Sequence, residues 1–109
     1  MNLTPEELMR EIVTVLDRKK ALDITALKIK DLSTIGDYFV IASGSSNTQV
    51  KALTEEVEDH LSKMALWILM DYYDVVVHIF YKETREFYSI ERLWSDAPRI
   101  DIDDLLTAD

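Results

Sequence analysis

The chain has 109 residues, 48% of them hydrophobic and 30% charged, and it contains no cysteine. That is enough for one domain with a real core and too little for two, and it excludes a disulfide framework and thiolate metal sites, as suits a reducing cytoplasm. A formal net charge of −9 argues against gripping a phosphate backbone, which needs clustered Lys and Arg, and favours a basic protein surface as partner.

No run approaches the roughly 18 apolar residues of a membrane span, and the start reads as a polar, acidic helix rather than a secretory signal. That first helix opens at Thr4-Pro5-Glu6-Glu7. Thr4 caps, Pro5 suits the first helical position, and Glu7 completes a capping box. Leu8, Ile12, Val15 and Leu16 fall on its buried side, and Arg18, Lys19 and Lys20 complement the carboxyl end of its dipole.

Ile24 to Ile29 reads as a short strand, with Leu27 and Ile29 on one side and Lys28 and Lys30 on the other, hence solvated on one face or near an edge. Asp31 to Gly36 is a connection. Tyr38 to Ala42 is an unbroken apolar run rich in aromatic and β-branched residues, which predicts a strand covered on both faces in the middle of the sheet. Gly44 then breaks the strand, read here as a turn at positive φ. Ser46 and Gln49 have the spacing of a second capping box, and Val50, Leu53, Val57 and Leu61 form the apolar stripe of a second helix. Its outer face carries Glu55, Glu56, Glu58 and Asp59, with His60 as a surface histidine.

Two further strands are expected, Leu66 to Met70 and Val75 to Phe80, joined as a hairpin by Asp71-Tyr72-Tyr73-Asp74. Two tyrosines at a bend cannot both turn inward, so at least one is expected as an exposed contact residue. Val76, His78 and Phe80 share one side of the last strand, and Val75, Val77 and Ile79 the other. Lys82 to Trp94 reads as a third helix ended by Pro98, and Arg99 to Asp109 as a partly ordered acidic tail. The division expected is thus a domain over 1–98 and a tail over 99–109. The fold class is α/β: one domain with a mixed sheet flanked by helices.

Chemistry is sparse. With two histidines far apart in sequence, a metal site would need carboxylates. Asp71 and Asp74 fit turn capping better than Mg²⁺, and Asp101, Asp103 and Asp104 lack the glycine and terminal glutamate of a calcium loop. The turn Gly44-Ser45-Ser46 could hold a phosphate at a helix start, as in nucleotidyl-transferring enzymes. Such enzymes place paired acids on the following strand; here Glu55 to Asp59 lie on the helix. No catalytic residue, metal or cofactor is assigned.

Taken together, Asp37-Tyr38-Phe39-Val40-Ile41, Ser43-Gly44-Ser45-Ser46, Asp74-Val75-Val76-Val77-His78, Arg85-Glu86-Phe87-Tyr88 and Leu93-Trp94-Ser95-Asp96-Ala97-Pro98 resemble the Iojap family, the ribosomal silencing factors of bacteria, mitochondria and plastids. The resemblance runs in order through nearly the whole chain. It implies a nucleotidyltransferase-like fold without enzymatic activity. It also implies binding to the large ribosomal subunit at its universal protein number fourteen, so that the small subunit cannot join and translation falls under nutrient limitation. The matching contact residues are Trp67, Asp71, Tyr72, Asp74, His78 and Tyr88. A homodimer of the free form is also implied. The alternatives are a nucleotide-binding enzyme using the Gly44–Ser46 turn and a dimerisation module without a ribosomal role.

Two departures from the family pattern stand out. Tyr73 replaces a usual glycine, and about a dozen family residues before Trp67 have no counterpart, because Met64 runs straight into Ala65.

Overall fold

The computed structural model describes residues 4–34, 36–68, 75–82, 85 and 90–107. Helix α1 (Pro5–Arg18) begins as its sequence requires. The Glu7 N–H donates to Thr4 Oγ1 at 3.1 Å, and the Thr4 N–H donates to Glu7 Oε1 at 2.9 Å. Its buried side holds Leu8, Ile12, Val15 and Leu16 together with Met9 and Val13.

Strands β1 (Leu22–Lys28), β2 (Tyr38–Gly44) and β3 (Val75–Tyr81) form one sheet in the order β1-β2-β3. β1 pairs antiparallel with β2, and β3 runs parallel to it, opposing Phe39 to Val76 and Ile41 to His78. All seven residues of β2 are buried, as an apolar run without polar alternation demands of a central strand. The parallel partner is reached through α2 (Asn47–Ile68).

α1 and α2 cover one face, where Leu8, Met9, Ile12 and Leu16 pack with Val40, Ala42, Leu53 and Val57. The other face gathers Leu27, Ile29, Phe39, Ile41 and Ala97, with Val76, Phe80 and Trp94 against them. Short helix α3 (Ile90–Leu93) leads onto that face. Residues 97–102 then run along β1: the Lys28 N–H donates to Pro98 O and the Ile100 N–H to Ala26 O, both at 2.9 Å. Ile102 beyond them is only 5% exposed and joins the helix-side core, and a 3₁₀ turn (Asp103–Leu105) follows.

Two expectations need correction. Leu66, Trp67 and Ile68 are not strand but the end of α2. No Gly or Pro interrupts residues 47–68, and Ala65 and Leu66 are strong helix formers, so nothing stops the helix at Met64. β3 therefore takes β2 as its partner among the described residues, and residues 69–74 lie outside them. The helix expected over Lys82 to Trp94 ends at Leu93, within one residue of that reading, with Trp94–Asp96 in a turn; positions 83–84 and 86–89 lie outside the described residues.

Gly44 also serves a different purpose from the one its turn position suggested. No glycine among the described residues has positive φ. A Cβ at Gly44 would instead lie 2.8 Å from Val50 Cγ2 and 3.0 Å from Val50 N, so the position is small because α2 crosses the strand end there.

Candidate docking face

The side of the sheet away from α1 and α2 presents the predicted trio Val76, His78 and Phe80, each half-buried. Phe39, beside them on β2, organises the patch. Its ring meets His78 edge-on with centroids 4.7 Å apart and Trp94 edge-on at 5.2 Å. The His78 and Phe80 rings lie parallel at 6.3 Å, as residues two apart on one strand face can. Edge contacts of this kind fix ring orientation as well as burying area.

His78 Nε2 is buried and has no hydrogen-bond partner among the described residues. Burial holds its pKa below the ordinary imidazole value, so the ring is neutral at pH 7. Leu93, which precedes Trp94 in the chain, is 76% exposed.

Of the predicted contact residues, the described structure places His78 on this face. Trp67 falls within α2 rather than on a strand. Asp71, Tyr72, Asp74 and Tyr88 lie outside the described residues.

A polar cluster that sequence reasoning did not single out borders the face. Arg85 Nε donates to Glu91 Oε1 at 2.9 Å, and the same guanidinium reaches Ser43 Oγ at 3.0 Å, Thr25 Oγ1 at 3.2 Å and the Asp23 carbonyl. The hydrogen bond from Arg85 is the first cause holding the Glu91 carboxyl below the usual carboxylate range. Asp23 sits at φ 49, where the β1–β2 register shifts between Leu22 and Thr25. The available signal was slight: an arginine shortly after a strand is ordinarily a surface residue.

His60, expected at the surface, turns its Nε2 inward, 4.0 Å from Glu11 Oε2 on α1. At the Gly44–Ser46 turn the cap is half as predicted. The Gln49 N–H donates to Ser46 Oγ at 3.1 Å, but the Gln49 side-chain oxygen accepts from the N–H and hydroxyl of Ser45 rather than from Ser46. Gln49 Nε2 donates onward to Lys20 O at 3.1 Å, tying this turn to the one after α1. The donor a phosphate would want on Ser45 is thus engaged within the fold. Among the described residues, no group of three or more His, Asp or Glu is arranged to hold a metal.

Residues 2–109 match the sequence profile described as ribosomal silencing factor during starvation, RsfS. The chain belongs to that family. It is 37% identical over 113 positions to the ribosomal silencing factor of Bacillus subtilis, covering 93% of this chain and 96% of the relative. A crystal structure of a protein from Chromobacterium violaceum superposes with a TM-score of 0.78 at 30% identity, over 85% of this chain and 88% of that one. The relatives are named as ribosomal silencing factors, a regulatory family and not an enzymatic one. With the silencing factor of Halalkalibacterium halodurans the identity is 33%. That alignment takes 117 positions to cover 96% of this chain and all of the relative, so about a dozen of its residues have no counterpart here. No helix among the described residues is long and apolar enough to cross a membrane.

Proposed function

We propose that this chain silences ribosomes in the cytoplasm. It binds the large subunit at its universal protein number fourteen, and by occupying the surface that meets the small subunit it keeps the two apart and lowers translation when nutrients run short. The observation that carries the reading is the family match across residues 2–109. The half-buried aromatic face around Phe39 and the net charge of −9 support it, since an apolar patch on a net-acidic chain suits a basic ribosomal protein.

In this reading Trp67 and Tyr88 are apolar anchors and Tyr72 adds an aromatic contact. Asp71 and Asp74 pair with Lys or Arg on the partner, and His78 is an orienting group in the contact. Reversing the charge of Asp71 and Asp74 to lysine weakens co-sedimentation with purified large subunits while the circular dichroism spectrum stays that of the wild type. Unchanged co-sedimentation removes these two residues from the contact.

A further inference from the structure

The docking face has a rigid side and a side that must be held. Phe39 is fixed on the central strand, but Trp94, which borders it, belongs to the segment that leaves α3. A helix of four residues has little stability of its own, so its place depends on anchors elsewhere.

Glu91 supplies such an anchor. One carboxylate oxygen accepts from Arg85 Nε at 2.9 Å, and the other accepts from Arg99 NH2 at 3.2 Å. Arg85 has only 11% of its side chain exposed and spends its other donors on β1 and β2, through Asp23 O, Thr25 Oγ1 and the buried Ser43 Oγ. Arg99 sits in the segment that bridges to Leu27 on β1. A single carboxylate therefore fastens α3 to both the strands and the returning chain. Paired contacts of this kind fix direction as well as distance, which is what a ring three residues further along the chain needs in order to stay in register.

We propose that Glu91 is a positioning residue for the docking face, holding Trp94 against Phe39 on the face that His78 shares. It does so without touching the partner itself. The proposal rests on the ribosome-docking reading for its affinity readout and on the free protein for its spectroscopic one.

The test is Glu91→Gln, which keeps size and shape and removes the charge. The free variant is studied at 10 °C, where circular dichroism establishes that it is folded. Expected are a displaced Trp94 indole N–H resonance in the ¹H–¹⁵N spectrum, altered ring-current shifts at Phe39 and His78, and about tenfold weaker binding to purified large subunits. Should Glu91→Gln fail to fold, Arg99→Gln is used; it cuts one arm of the pair at a side chain 69% exposed, and a smaller change in the same direction is expected. Wild-type affinity in a folded variant overturns the proposal, whether or not the Trp94 signal moves, because a merely structural Glu91 lowers the melting temperature alone. So does an unmoved Trp94 signal. Failure of the wild type itself to bind large subunits overturns the docking reading instead, and the Trp94 resonance then decides the role of Glu91 by itself.

Discussion

Replacing Gly44 by alanine puts a methyl group 2.8 Å from Val50 Cγ2, 3.0 Å from Val50 N and 3.3 Å from Val50 Cα. The side-chain contact can be relieved by a rotamer change. The two backbone contacts cannot, because Val50 N–H donates to Ser46 O in the first turn of α2 and the helix must move as a body. Overpacking of this kind costs about 1–3 kcal/mol. Against it stands the conformational entropy that alanine spares at a strand position, roughly 0.5–1 kcal/mol. Because two of the three contacts are to backbone, the upper part of the overpacking range applies, about 2–3 kcal/mol. The balance is a loss of about 1–2.5 kcal/mol, or about 4–20 °C in melting temperature for a domain of this size. Thermal unfolding followed by circular dichroism measures it. The double variant Gly44→Ala with Val50→Ala recovers only part of the loss, since it removes the Cγ2 contact and leaves the backbone ones. A melting temperature equal to or above the wild type's would refute the reasoning and return Gly44 to the role of a simple strand breaker.

Three other outcomes follow from the packing and the titrating groups. Ile102→Ala removes a buried side chain contributed by the acidic C-terminal segment and lowers stability by about 2–5 kcal/mol in urea unfolding; an unchanged midpoint would make that segment an appendage. His78 binds its proton less readily folded than unfolded, so the unfolded chain takes up more protons as pH falls below about 6.5 and stability drops with it. The variant His78→Phe flattens that part of the curve between pH 7 and 5, whereas a superimposable profile would show that His78 is not the group responsible. Glu91 adds stability that is fully present above its ordinary carboxylate value and is lost as pH falls through its lowered one, so Glu91→Gln narrows the difference from wild type in strong acid.

How much of this was readable beforehand depended on how local the cause was. The Thr4–Glu7 capping box needs only four residues, and the burial of β2 needs only its own composition; both are as the sequence indicates. The alternation in β3 likewise set Val76, His78 and Phe80 apart from Val75, Val77 and Ile79. What local pattern could not settle was competition. Leu66 to Ile68 suit a strand by composition, but they follow a helix that no breaker ends, and the helix takes them. Gly44 reads as a turn glycine until the crossing of Val50 is known. Arg85, Glu91 and Arg99 meet only because α3 and the returning chain are laid on the same sheet edge, and no spacing along the sequence announces that. On the functional side the Phe39–His78–Trp94 patch was partly legible, through His78. The turn at Gly44, the sharpest chemical suggestion in the chain, is locked internally by Gln49.

The central claim is that this domain acts by obstruction, and the formation of whole ribosomes from purified subunits tests it most directly. Small and large subunits are mixed at a magnesium concentration that favours joining, with the protein added first in excess over the large subunit, and the products are separated on a sucrose gradient. The account predicts that the joined peak shrinks, that free subunits accumulate, and that the protein travels with the large one. A joined peak of undiminished height, with the protein left at the top of the gradient, would contradict it.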